Sequence, residues 1–317
     1  MNKKLLLTSV AAALALSALT ASIASAQQAN NGGGGGGISR ETSFPKIASG
    51  KWTGKHLADG QPDVAGHWSN TIANHNNFTD PQGGTPGERA GRSTSKREDR
   101  APSRVSDPTD GQVPFQPWAA AKVKEFQEHF NNPIAPQYIE PLARCAPGGI
   151  PKSFYWHGYE IAQYPGYVVF FFNSGTRIIH LDNKPHLSQN IKLWNGDSRG
   201  HWEGNTLVVD VTNTNGKALF GRTGEFASEN AHFQERYIFA NDGKRYNYEV
   251  LITDPTVYTR PFTVTIPAAR WTEKDEPNGW HYEAREAKHD GKGVIIEREE
   301  RICAENNGGF GGVSVGK

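Results

Sequence analysis

From Ser153 to the end of the chain, apolar and polar positions alternate in short runs separated by turn residues. Nine runs have strand length: 154–163, 167–173, 177–182, 206–212, 232–239, 246–253, 258–266, 280–287 and 294–302. Alternation with a period of two marks strands that bury one face. In the run 232–239, Phe233, Glu235, Tyr237 and Phe239 share one face, while His232, Gln234, Arg236 and Ile238 share the other. The links between runs are turns: Asn241-Asp242-Gly243 joins two of them, Pro277-Asn278-Gly279 precedes another and Asp290-Gly291 separates the last pair. No helical pattern long enough for a parallel crossover intervenes, so the pattern predicts an antiparallel sheet. Nine such strands predict an all-β fold, a lipocalin-like barrel or a curved sandwich.

One helix is predicted, over Ala119 to Phe130, because Ala119, Val123, Phe126 and Phe130 recur every three to four residues after Pro117. It is expected to flank the outside of the sheet. The segment Asp59 to Trp68 reads as a turn followed by a short strand that could join the main domain. Thr79 to Asp110 has almost no apolar residues and is expected to be a long surface loop, with six basic residues interrupted by acids. The expected organisation is a leader over 1–26, a glycine-rich linker over 27–50 and an irregular extension over 51–112. A barrel domain over 113–306 and a glycine-rich tail over 307–317 follow.

Composition narrows the setting. The 34 Lys and Arg balance 33 Asp and Glu, which gives no electrostatic drive toward nucleic acid. Lys3 and Lys4, the apolar run Leu5 to Leu19 and the small residues Ala24-Ser25-Ala26 have the pattern of an export signal. The mature protein is therefore expected to be periplasmic or secreted. No later run approaches the roughly 20 apolar residues of a membrane helix, so no membrane insertion is expected after cleavage. Cys145 and Cys303 are the only cysteines. In an oxidising compartment they are expected to form one disulfide, which would close a long loop and contribute about 4 to 5 kcal/mol if unstrained.

Candidate chemistry concentrates between Trp194 and Asp210. Gly200, Gly204 and Asn205 suit a turn before a strand in which Leu207, Val209 and Val211 alternate with Val208 and Asp210. Asp197 and Glu203 either accept backbone N–H groups in that turn or line a pocket walled by Trp194 and Trp202. His186, in the loop after Asp182, is a candidate acid or base because imidazole titrates near neutral pH. His232 is a second candidate and shares its face with Arg236. Glu235, among aromatic neighbours, must be paired if buried, and Arg177 and Arg260 are the candidate partners. Arg260 either clamps an anionic group beside Tyr258 or pairs with Asp254.

Dinucleotide-binding, phosphate-loop, zinc-protease and serine-hydrolase motifs are all missing from the sequence. The eleven histidines form no HxH or HxxxH pair. No cofactor and no metal are expected.

Gly200 to Asp210 is similar to a G-[HR]-W-E-G-[DN]-T-L-V-V-D segment that recurs in a large, mainly uncharacterised family of secreted bacterial proteins. The resemblance extends to Asp59 to Asp63 with Trp68, to Pro114 to Trp118, and to Leu181-Asp182 with Pro185-His186. It further includes Asp254-Pro255 with Tyr258 to Pro261, and Cys303 with Glu305-Asn306. It implies a shared fold and brings no reaction with it. Asn205 stands where the family usually has an acidic residue, and Lys217 to Glu225 departs from the family pattern.

Three functions fit these features. One is a cofactor-free lyase, isomerase or hydrolase acting on a small aromatic or sugar-like compound, with His186 as acid or base, Asp197 or Glu203 as its partner, and Arg177 or Arg260 as the anion clamp. A carrier binding such a ligand without turnover is the second, and a cell-envelope interaction protein is the third.

Overall fold

The computed structural model describes residues 46–70, 77–81, 102–130, 132–144, 146–156, 158–172, 174–221, 223–270, 288–289 and 294–295. The leader, Cys145, Cys303 and the predicted strand over 280–287 lie outside them. So do the turn at 277–279 and the tail, and of the run 294–302 only two residues lie inside.

Nine strands close into a barrel: β1 (Gly66–Asn70), β3 (Tyr159–Tyr164), β4 (Tyr167–Phe172), β5 (Gly175–His180), β6 (Asp197–Glu203), β7 (Thr206–Thr212), β8 (His232–Phe239), β9 (Arg245–Thr253) and β10 (Phe262–Arg270). Each pairs with the next, and β10 returns to β1, so the all-β barrel expected from the alternation is the fold. The segment β2 (Val105–Asp107) adds to β10 outside the ring. It falls in the predicted surface loop, and Arg104 beside it is buried. The apolar Val105 and the Ser106 hydroxyl bond to Thr265 (2.8 Å) account for this docking.

One seam departs from the predicted antiparallel order. β5 and β6 run parallel and share a single aligned pair, His180 with Arg199. The 16 residues Leu181 to Gly196 make the crossover without a helix, which the absence of a helical pattern did not allow for. The turn expected at Gly200, Gly204 and Asn205 is confined to the last two, and β6 runs through Gly200. Its glycine at position 200 is a strand residue, and a Cβ there would lie 2.7 Å from Ile179 Cγ2, so the seam closes only around glycine. The true turn is at Gly204, where φ is +59° and a Cβ would lie 2.0 Å from the Gly50 carbonyl oxygen.

That contact belongs to a strap formed by residues 46–50, the end of the expected linker. Asn205 accepts from Gly50 N–H (2.7 Å) and donates to the carbonyls of Ala48 (3.0 Å) and Phe239 (2.7 Å). An ionised carboxylate at this position could not donate these two bonds.

The helix α1 (Pro117–His129) buries Ala119, Val123 and Phe126. It lies over the loops at one end of the barrel rather than along the wall: Trp118 meets Phe226 and donates to the Thr256 carbonyl, and the Phe126 ring fits against Gly224.

Side chains occupy the middle of the barrel. Phe154, on the single helical turn Ser153–Trp156, touches rings from four strands: Tyr159, Phe170 and Phe172, Tyr237, and Tyr248. Beside this cluster Arg177 pairs with Glu235, and both are buried. Glu235 accepts two guanidinium bonds (3.0 and 2.6 Å), the Tyr248 hydroxyl (2.6 Å) and the Tyr237 hydroxyl (3.2 Å). Arg177 also donates to the Ser198 hydroxyl (3.2 and 3.0 Å) and to Tyr237 (2.8 Å). Burial alone would favour a neutral guanidine, but the Glu235 charge outweighs it and holds Arg177 charged.

Two tests follow from this interior. Arg177→Met strands Glu235 and should cost about 3 to 5 kcal/mol in urea unfolding, whereas Arg177→Met with Glu235→Leu should recover part of that loss. A double variant no more stable than the single one would place the cost elsewhere. The second concerns Glu225, which is buried in the β7–β8 loop and accepts from Phe78 N–H. Burial pushes its carboxyl up to about 8. The folded state therefore holds more protons than the unfolded state between the ordinary carboxyl range and pH 8, so stability should fall as pH rises through that window. Glu225→Gln should melt above the parent at pH 8 and lose that advantage near pH 4; parallel melting curves across the range would refute this.

Candidate functional site

The outward positions of β6, β7 and β8 carry the polar residues. Asp197 and Arg199 face out from β6, Asp210 from β7, and His232, Gln234 and Arg236 from β8. Strand register aligns Arg199 with Asp210 and Asp210 with Gln234. The β5–β6 crossover passes over this wall and brings His186 onto it.

His186 lies between two carboxylates. Its Nδ1 is 2.8 Å from Asp197 and its Nε2 is 2.8 Å from Asp210. The other oxygen of Asp210 is 2.6 Å from His232 Nε2. The result is a chain, Asp197 to His186 to Asp210 to His232, that runs from a buried end to a half-exposed one. The Asp197 side chain is 5% exposed, His186 24%, Asp210 43% and His232 38%. Burial works to raise the Asp197 carboxyl, but bonds from Leu187 N–H (3.0 Å), Arg199 Nε (3.2 Å) and His186 hold it below the usual carboxylate range. Arg199 also reaches Asp182 (3.2 Å), whose carboxyl is held down to about 2 first by Lys184 and further by Arg199.

Asn213 fixes the loop. It sits at φ +63° just past β7, is buried, and donates Nδ2–H to the carbonyls of Leu187 (3.2 Å), Ser188 (2.8 Å) and Ile191 (3.0 Å). Its own carbonyl accepts from Leu193 N–H (2.8 Å). At the far edge Lys192 donates to the Glu229 carbonyl (3.1 Å), so the loop reaches the approach to β8.

Of the candidates read from sequence, His186, Asp197 and His232 come together. Glu203 does not: it lies six residues beyond Asp197 on an extended strand, about 20 Å away, where it pairs with His201 (3.1 Å) and Arg236 (3.3 Å). The His201 bond first, and the Arg236 charge after it, hold the Glu203 carboxyl low. Trp194 and Trp202 likewise flank opposite ends of β6 and do not wall one pocket. Trp202 faces inward, 5.9 Å from Phe239.

Arg177 is inside the barrel and cannot serve the outer wall. Arg260 pairs with Asp107 rather than Asp254, because β2 brings Asp107 beside it. Asp254 instead accepts from Ser228 N–H (2.7 Å) and Thr256 N–H (3.1 Å). Tyr258 is buried and donates to the Phe226 carbonyl (2.6 Å), a structural role.

Asp210, Arg199 and Asn213 were not singled out as site residues. For Asp210 the signal is present: it is the one charged residue of its strand, on the outward parity. Asn213 carried no such signal, since its role depends on carbonyls more than twenty residues away in sequence. Among the described residues no group of three or more His, Cys, Asp or Glu side chains is arranged to hold a metal ion.

Asn213→Asp keeps the backbone but replaces an NH2 group shared among three carbonyls with a carboxylate facing them. It should cost about 1 to 3 kcal/mol and raise amide exchange across 187–193, and Asn213→Gly, which suits the positive φ, should cost less. Unchanged exchange in the aspartate variant would show that the loop is held by other contacts.

The chain matches no family model, no curated protein and no solved structure.

Proposed function

We propose that this protein is an exported, cofactor-free acid–base enzyme acting on a small molecule, and that its site is the outer-wall chain Asp197–His186–Asp210–His232. The observation that supports it is the convergence of two imidazoles on one half-exposed carboxylate. A purely structural surface histidine needs one partner, whereas here Asp210 is shared by two imidazoles, one of them backed by a buried carboxylate. Such a chain can hold a proton at a defined nitrogen and stabilise the imidazolium formed when a substrate gives one up. The reaction classes within its reach are lyase, isomerase and hydrolase chemistry that turns on proton transfer. We place the protein in the secreted family that its Gly200 to Asp210 segment resembles, and in the periplasm or outside the cell.

The ring packing around Phe154 fills the interior position that a carrier would use for a ligand, which favours a site on the wall. The envelope-interaction reading draws on the exposed Ile178, Leu187, Ile191 and Leu193 along β5 and the crossover.

The test has two stages. Sugars, aromatic acids and other small organic acids are screened for a rise in melting temperature, and compounds that bind are then followed for turnover. Asp210→Asn should retain a cooperative melt and lose about 100-fold or more in turnover. A screen without a binder or product, or an Asp210→Asn variant as active as the parent, would remove the enzyme reading.

A further inference from the structure

We infer that the substrate-facing group is His232, through its Nδ1 atom, and that His186 is a positioning residue acting through Asp210. This rests on the acid–base reading above and assigns roles within it.

A carboxylate only accepts, so the 2.6 Å contact between Asp210 and His232 Nε2 requires the hydrogen on Nε2. Neutral His232 then carries its lone pair on Nδ1, which has no hydrogen-bond partner among the described residues and belongs to a partly exposed side chain. His186 is the opposite case. Both of its nitrogens face carboxylates at 2.8 Å, so a substrate could reach either one only by displacing a carboxylate.

Support runs outward from buried Asp197. Asp197 is fixed by Leu187 N–H and Arg199, and it fixes the His186 ring. His186 Nε2 takes one oxygen of Asp210 and leaves the other aimed at His232. Asp210 thereby presents a fixed acceptor to Nε2–H and selects one tautomer. In the resulting step a substrate C–H or O–H proton passes to His232 Nδ1. The bonding pair stays on the substrate, and the imidazolium formed is stabilised by Asp210 through Nε2–H. The same nitrogen then returns the proton to the product. Gln234, exposed on the same face of β8, is placed to contact the bound molecule.

Two readouts need no substrate. Long-range nitrogen-15 NMR of the full mature protein should show neutral His232 as the Nε2–H tautomer; in His186→Gln that single tautomer should give way to a mixture. Diethyl pyrocarbonate, followed by peptide mass spectrometry, should modify His232 several-fold faster than His186, with exposed His201 as the internal reference. This second readout uses the parent protein and so does not depend on a variant folding. An Nδ1–H tautomer at His232, or faster modification of His186, overturns the assignment. An unchanged His232 tautomer in His186→Gln overturns the positioning role. With a substrate in hand, loss of turnover in Asp210→Asn but not in His232→Gln would overturn the role of His232 while the enzyme reading stands; full turnover in both would end that reading.

Discussion

The barrel depends on one buried interaction, the Arg177–Glu235 pair with its shell of hydroxyls. Charges inside a protein are tolerated only when paired and hydrogen-bonded, and here the guanidinium and the carboxylate are satisfied by each other, by Ser198 and by two tyrosines. These groups come from β5, β6, β8 and β9. The pair therefore ties the strands on both sides of the β5–β6 seam, the only parallel junction in the ring and the one with least strand overlap. A purely aromatic interior would fill the same space, but it would not cross-link that seam with directional bonds.

The seam is braced on the outside too. The crossover that a parallel junction requires is laid across β6 and β7 and pinned by Asn213, Asp197 and Lys192. His186 adds a fourth pin through its contacts with Asp197 and Asp210. The candidate site is thus a consequence of closure: the loop that makes the parallel connection is also the loop that brings an imidazole between Asp197 and Asp210. Rigidity in the pins is what the proposed chemistry requires, since a proton-transfer group is effective only when its geometry is held before the substrate arrives. The buried ion pair faces inward and the histidine chain outward from the same wall, without sharing a residue.

Parity along the strands made much of this legible. Glu235 among Phe233, Tyr237 and Phe239 had to be buried and paired, and Arg177 is its partner. The same alternation put His232 and Arg236 on the opposite face, where they are. It could not say that the crossover after β5 returns parallel, because nothing local distinguishes that loop from a wide hairpin. Nor could it separate Asp197 from Glu203. Both are outward residues of one strand, and only the path of the loop decides that His186 meets the first and not the second.

What the sequence determined by itself is the class of fold and the face on which each strand residue lies, because the period-two pattern and the turn residues act locally. The tertiary structure decided which strands adjoin, which arginine neutralises Glu235, and which histidine keeps a free nitrogen. Those outcomes depend on contacts between residues tens of positions apart, such as Arg177 with Glu235 and His232 with Asp210. Such contacts are set by the closure of the barrel and leave no periodic trace along the chain.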